Sequence, residues 1–207
     1  MRRVTRAWRR ELPIPEGYTL LQYLQKNVSG QAIDTGLYIQ DRYQVVMKAQ
    51  FPVSTSNDTW LAGHWASSKD FLIGYYGGIK TQCGKDTSTY YSTVISNDMK
   101  PHLLGILKDK FVVDDIPQTT YPDYGNTAPS KLYLFKSNHV DNATARRIYW
   151  CQIKDWNDDM VREYLPCLDA AGVPCMYDTV SERTYYATTG TFVAGDAAEE
   201  APVMYWS

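Results

Sequence analysis

Residues 43–51 read YQVVMKAQF, and their alternation decides the fold class. Tyr43, Val45, Met47, Ala49 and Phe51 fall on one face of an extended chain, and Gln44, Val46, Lys48 and Gln50 on the other. Successive side chains of a strand point to opposite faces, so this period of two predicts a β-strand with one apolar face. Pro52 and the polar run STSND (54–58) end it.

Outward from this strand the same grammar repeats. Short aromatic or aliphatic runs, TWLAGHW (59–65), DFLIGYYG (70–77) and IKTQC (79–83), are separated by Ser, Gly and Asp, with Gly77-Gly78 as a hairpin turn. HLLGILKDKFVVDDI (102–116) predicts a hairpin around Lys108–Lys110. Residues 117–130 hold three prolines and predict a loop. Further strands are expected at 131–135, 145–156, 161–166, 175–180, 183–187 and 191–195, and TLLQYLQ (19–25) is read as one strand. No amphipathic helix of about ten residues or more emerges. About twelve short strands predict an all-β fold of two antiparallel sheets packed face to face.

Composition agrees. Seventeen Tyr and six Trp against six Glu suit pleated surfaces better than helices. A net charge of −2 supplies no field for a polyanion, so nucleic acid is not expected as the main partner. The exception is MRRVTRAWRR (1–10), with five arginines and no acid. It is followed by ELPIPEGY rather than an apolar stretch, so no secretory signal is expected. No run reaches the roughly 18 apolar residues of a membrane span, and membrane insertion is not expected. The four cysteines, Cys83, Cys151, Cys167 and Cys175, are accordingly expected to stay reduced during synthesis.

The two ends of the chain carry a resemblance. Arg147–Lys154 (RIYWCQIK), Met160–Asp169 (MVREYLPCLD), Gly172–Val180 (GVPCMYDTV) and Gly190–Gly195 (GTFVAG) resemble the closing segment of concanavalin A-like, LamG-like jelly-roll domains. Gly17–Leu24 (GYTLLQYL) and Gln31–Gly36 (QAIDTG) are similar to the opening strands of such domains, while the middle agrees by strand number only. These domains are common in tail, fibre and receptor-binding proteins of bacteriophages and in proteins of gut bacteria. The resemblance implies a jelly-roll sandwich over residues 13–195. It also implies a virion component made in the host bacterial cytoplasm, with other virion proteins or copies of itself as partners. Cys175 departs from the family's small residue, and residues 1–12 and 196–207 are additions to the scaffold. Arg2, Arg3, Arg6, Trp8, Arg9, Arg10, Tyr205 and Trp206 are the expected assembly anchors there.

Chemistry is read against this background. Retaining glycosidases of similar fold use an E-x-D-x-x-E strand holding two carboxyl groups about 5 Å apart. None of the six Glu is followed by Asp two positions on, so no enzyme is expected. Asp114-Asp115 and Asp158-Asp159 are adjacent pairs, expected in turns. His64, His102 and His139 lack metal-ligand spacing, a calcium site from Asp114, Asp115 and Asp123 is not favoured, and no cofactor is expected. Sugar recognition needs an aromatic platform flanked by amides or carboxylates. The segment from Trp60 to Tyr91 supplies those types, including Tyr90 and Tyr91; Trp65, Asp70, Tyr75, Tyr76 and Gln82 are the candidate carbohydrate-binding residues. The reading is a non-enzymatic virion or receptor-binding component that displays a glycan-binding face. A stand-alone lectin is the alternative, with a glycan hydrolase behind it. YLPCLDAAGVPCMYD (164–178) is expected as a strand–turn–strand with two free thiols and Asp178 as a turn residue.

Overall fold

The computed structural model describes residues 14–38, 42–53, 59–64, 71–85, 88–114, 130–138 and 142–200, with the side chains of residues 85 and 88–90 left aside. Among these residues there is no helix and there are sixteen strands, more than the twelve expected. In chain order they are β1 (Thr19–Leu20), β2 (Leu24–Lys26), β3 (Ile33–Tyr38), β4 (Gln44–Gln50), β5 (Thr59–His64), β6 (Phe71–Tyr75), β7 (Ile79–Lys85) and β8 (Ser88–Tyr91). There follow β9 (His102–Ile106), β10 (Phe111–Val113), β11 (Lys131–Leu134), β12 (Arg146–Lys154), β13 (Met160–Leu168), β14 (Pro174–Asp178), β15 (Arg183–Tyr185) and β16 (Val193–Ala194).

They form two antiparallel sheets. The larger, ten-stranded sheet runs β10-β9-β4-β12-β13-β14-β15, with β1 on β13, β2 on β12 and β16 on β2; the smaller runs β3-β11-β5-β6-β7-β8. Between them lies one core. Val45, Met47, Ala49 and Phe51 of the first strand read from the sequence are 0 to 1 % exposed and meet Leu61, Ala62, Phe71, Ile73 and Cys83 of the smaller sheet. The alternation therefore identified the inward face of β4 correctly, and the arrangement is sandwich-like.

The outward face of β4 differs from expectation. Val46 is 1 % exposed and belongs to a second apolar cluster with Leu20, Leu103, Trp150, Leu165, Cys167, Cys175 and Tyr177, on the side of the larger sheet away from the core. Ile14, Tyr18 and Ala198 pack against that cluster. The larger sheet is thus apolar on both faces over part of its width, which a period of two cannot reveal.

The run at 19–25 is two strands rather than one. Leu21 N–H donates to Pro166 O and Gln22 N–H to Asp196 O, so the chain bends between β1 and β2 and changes neighbours. Leu20 faces the outer cluster while Leu21 and Leu24 face the core. Pairing at the other end continues past β16, through the Leu21–Ala197 bridge to Ala198, whose N–H donates to Leu20 O. The earliest and latest described segments therefore close the same sheet.

Between β13 and β14, Asp169 Oδ1 accepts the N–H groups of Ala171 and Val173, making the expected turn. Asp178 is a different matter. It ends β14 fully buried, accepting the N–H groups of Glu163 and Val180 and the Ser181 hydroxyl, with Arg162 Nε at 3.4 Å. It organises the following turn from inside the fold rather than sitting in it.

Candidate functional site

The outer face of the smaller sheet is built by alternation. Ile79 and Cys83 of β7 point into the core, so Lys80 and Gln82 point away from it. Their cross-strand partners are Gly74 opposite Lys80, and Leu72 and Tyr91 opposite Gln82. In β6 the same parity sends Phe71, Ile73 and Tyr75 inward, and the next residue, Tyr76, outward.

A β-bulge sharpens the pattern on β5. The register shifts between Trp60 and Ala62, so Leu61 and Ala62 both face the core while Trp60 lies on the outer side opposite Gly74. Gly74 leaves room for it: a Cβ there would stand 3.0 Å from Trp60 Cε3 and 2.5 Å from Thr59 O. Trp60 is 3 % exposed and stacks on Tyr76, with ring centroids 6.3 Å apart and planes 21° from parallel.

Lys80 completes the cluster. Its ammonium lies 4.5 Å from the ring centroid of Tyr76 and 4.5 Å from that of Tyr91. Lys80 itself is 5 % exposed, whereas Tyr76 and Tyr91 are 53 % and 55 % exposed. A cation so shielded attracts both ring faces by about 2 kcal/mol, so the two tyrosines are held at fixed positions at the surface. Gln82, 4 % exposed, lies beside Tyr91 on the neighbouring strand. The result is a half-exposed pair of tyrosines around a buried cation, aromatic chemistry of the kind that suits a sugar ring.

Of the five candidate carbohydrate-binding residues, the structure brings Tyr76 and Gln82 to this face. Tyr75 is on the other side of the sheet, packing edge-on against Phe51 with centroids 5.9 Å apart. Trp65 and Asp70 lie outside the described residues, as do all the anchor candidates: Arg2, Arg3, Arg6, Trp8, Arg9, Arg10, Tyr205 and Trp206. Lys80 was not singled out by sequence reasoning. The signal was present in IKTQC, where strand alternation puts Lys80 and Gln82 on one face, opposite the core residues Ile79 and Cys83.

Other polar clusters have evident structural work. His102 Nδ1 lies 2.6 Å from Asp114 Oδ2 and its Nε2 2.9 Å from Asp98 Oδ1, tying residues 98–102 to the β9–β10 hairpin. Asp158 meets Lys108 Nζ at 2.9 Å and accepts Gln44 Nε2 at 2.7 Å, joining the β12–β13 turn to the β9–β10 turn. Among the described residues no group of three or more His, Cys, Asp or Glu is placed to hold a metal ion. No helix there is long and apolar enough to cross a membrane.

Compared with known proteins, the chain matches no family model, no curated protein and no solved structure.

Proposed function

We infer that the chain is a non-enzymatic glycan-binding module of the concanavalin A-like jelly-roll type, carried on a bacteriophage virion and binding host surface glycans through the outer face of its smaller sheet. One observation carries the binding part: Lys80, almost fully buried, holds two half-exposed tyrosine rings together on the outer side of the smaller sheet. Preorganised rings lose little entropy on binding, which is how small aromatic platforms gain affinity for sugars. The placement on a virion rests on the resemblance of both chain ends to LamG-like domains, which are common in tail, fibre and receptor-binding proteins of bacteriophages as well as in proteins of gut bacteria. An all-β, sandwich-like arrangement of two antiparallel sheets, with β1 and β16 both joining the larger one, supports that resemblance at the level of fold class.

A glycan array of bacterial surface polysaccharides tests the binding. Specific binding is expected, and Tyr76→Ala or Tyr91→Ala should each weaken it about tenfold, since an aromatic contact is worth about 0.5–1.5 kcal/mol beyond the area it buries. Each substitution also removes a ring from Lys80, so urea midpoints should fall by an amount equivalent to up to about 2 kcal/mol, and affinity is compared under conditions where both variants stay folded. A blank array, or binding indifferent to both substitutions, sinks the proposal. Cross-linking and mass spectrometry of intact virions tests the placement; a monomer that binds glycans but joins no virion protein would be a stand-alone lectin.

A further inference from the structure

The other sheet carries a second constellation on its outer side. There β2, β12 and β4 lie side by side, with Gln25 opposite Arg147, Arg147 opposite Gln50, and Trp150 opposite Lys48 after a register shift. Arg147 Nε donates to Gln25 Oε1 at 2.7 Å and its Nη1 to Gln50 Oε1 at 3.2 Å. The Tyr149 hydroxyl donates to the same Gln50 Oε1 at 2.6 Å. The guanidinium lies 4.3 Å from the Tyr23 ring centroid, Tyr23 and Tyr149 are 5.5 Å apart, and Lys48 Nζ is 5.9 Å from Tyr149. The Gln25 and Gln50 amides thus fix Arg147 and Tyr149, and Tyr23 and Lys48 join them through ring contacts.

Beside them opens a hollow of about 200 Å3, whose lining includes Gln22, Lys48, Tyr149, Trp150, Ala198 and Glu200. That volume lies below the roughly 300 Å3 at which pockets for drug-sized ligands begin, and suits a single ring. Its chemistry is graded. Trp150, 1 % exposed, is an apolar floor, Tyr149 a wall, and the ammonium of Lys48, the amide of Gln22 and the carboxylate of Glu200 stand around it. Lys48 is exposed, and among the described residues neither it nor Glu200 takes part in an ion pair. Arg147 Nη2 likewise enters no hydrogen bond among the described residues. Lys48 is the cation and Glu200 the carboxylate of the lining, and Arg147 stands outside it, beyond the Tyr23 and Tyr149 rings.

We propose that this hollow is a second saccharide subsite, selective for a sugar ring that carries a carboxylate, such as a uronic acid of a bacterial surface polysaccharide. The sugar's apolar face lies on Tyr149, its carboxylate meets Lys48 Nζ in a charge-assisted hydrogen bond, and its hydroxyls reach Gln22 and Glu200. The choice of an acidic over a neutral sugar rests on the exposed Lys48 ammonium in the lining, which enters no ion pair among the described residues. The subsite stands on the sheet opposite Tyr76, Lys80 and Tyr91, so the two readings succeed or fail separately.

Saturation-transfer NMR on the full chain, with methyl glucuronide and methyl glucoside at millimolar concentration, tests it. Glucuronide is expected to bind at least tenfold more tightly than glucoside. Lys48→Met, which keeps the apolar stem, should abolish that preference. Tyr149→Ala should remove that preference too, whatever signal the Tyr76 and Tyr91 face contributes. Equal affinity for the two sugars, or a preference that survives Lys48→Met, overturns the proposal. So does a signal that appears only in a chain truncated after Glu200, because the hollow would then belong to residues 201–207 rather than to a sugar.

Discussion

At the scale of single residues, charge placement divides into what is buried and what is exposed, and the two make different predictions. Asp178 is fully buried and accepts hydrogen bonds from two backbone N–H groups and the Ser181 hydroxyl, beside Arg162. Asp178→Ala leaves those donors without an acceptor and the Arg162 charge uncompensated, at a cost of about 3–5 kcal/mol. Urea denaturation measures it, and a loss under about 1 kcal/mol would reduce Asp178 to the turn residue its sequence context implied. Asp98 is the exposed case. Its carboxyl is lowered to about 2, first by the Lys100 N–H and then by His102 and the Lys100 ammonium. A carboxyl whose folded pKa lies below its unfolded value of about 3.9 adds stability above that value and loses it as pH falls through the folded one. The urea midpoint should therefore fall between about pH 4 and pH 2, and Asp98→Asn should flatten that slope. An unchanged slope would mean that the contacts of Asp98 add nothing in solution.

At the scale of elements, glycines and cysteines show what pairing demands. Gly63 has φ +127°, and a Cβ there would lie 1.8 Å from Phe71 O across the β5–β6 ladder. Gly63→Ala should part these strands, cost more than about 3 kcal/mol and raise amide exchange in β5 and β6 first. Exchange that rose equally in every strand would count against so local a defect. Cys167 and Cys175 face one another in register between β13 and β14, both 0 % exposed, and burial pushes each thiol up to about 12. At pH 8 neither should react with iodoacetamide in the folded protein, whereas all four cysteines should in urea; intact mass reads the difference. The same elements show how much the sequence could tell. Period two identified β4, the β9–β10 hairpin and the β13–β14 turn, because each has one clearly apolar face or a turn residue that only a bend accommodates. It failed at Val46, where the strand is apolar on both sides. It also left Tyr75 and Tyr76 as equals, although a strand can send only one of two neighbours outward. The parity that separates them is set by which sheet neighbours Ile79 and Cys83 pack against, and that is tertiary information. Lys80 was overlooked for the same reason: its meaning comes from Tyr76 and Tyr91, which reach it from other strands.

At the scale of the whole molecule, the two sheets are tied at one end by a few residues. Phe135, just after β11 of the smaller sheet, takes φ 67° and donates its N–H to Leu61 O, while its carbonyl accepts both Nε and Nη2 of Arg146 from the first residue of β12. Arg146 is fully buried and anchors its remaining nitrogen on Asn142 Oδ1 and Thr144 O. The Phe135 ring then packs 4.6 Å from Phe192, which precedes β16 of the larger sheet. Since one core joins the sheets and this lock closes it, the protein should unfold in a single transition. Phe192→Ala removes a side chain 3 % exposed and should lower stability by about 3–5 kcal/mol. If the sheets are one cooperative unit, the variant shortens amide protection equally in 71–85 of the smaller sheet and 146–154 of the larger. If protection in one sheet fell while the other kept its parental value, the lock would be a local contact and the molecule two separately melting halves.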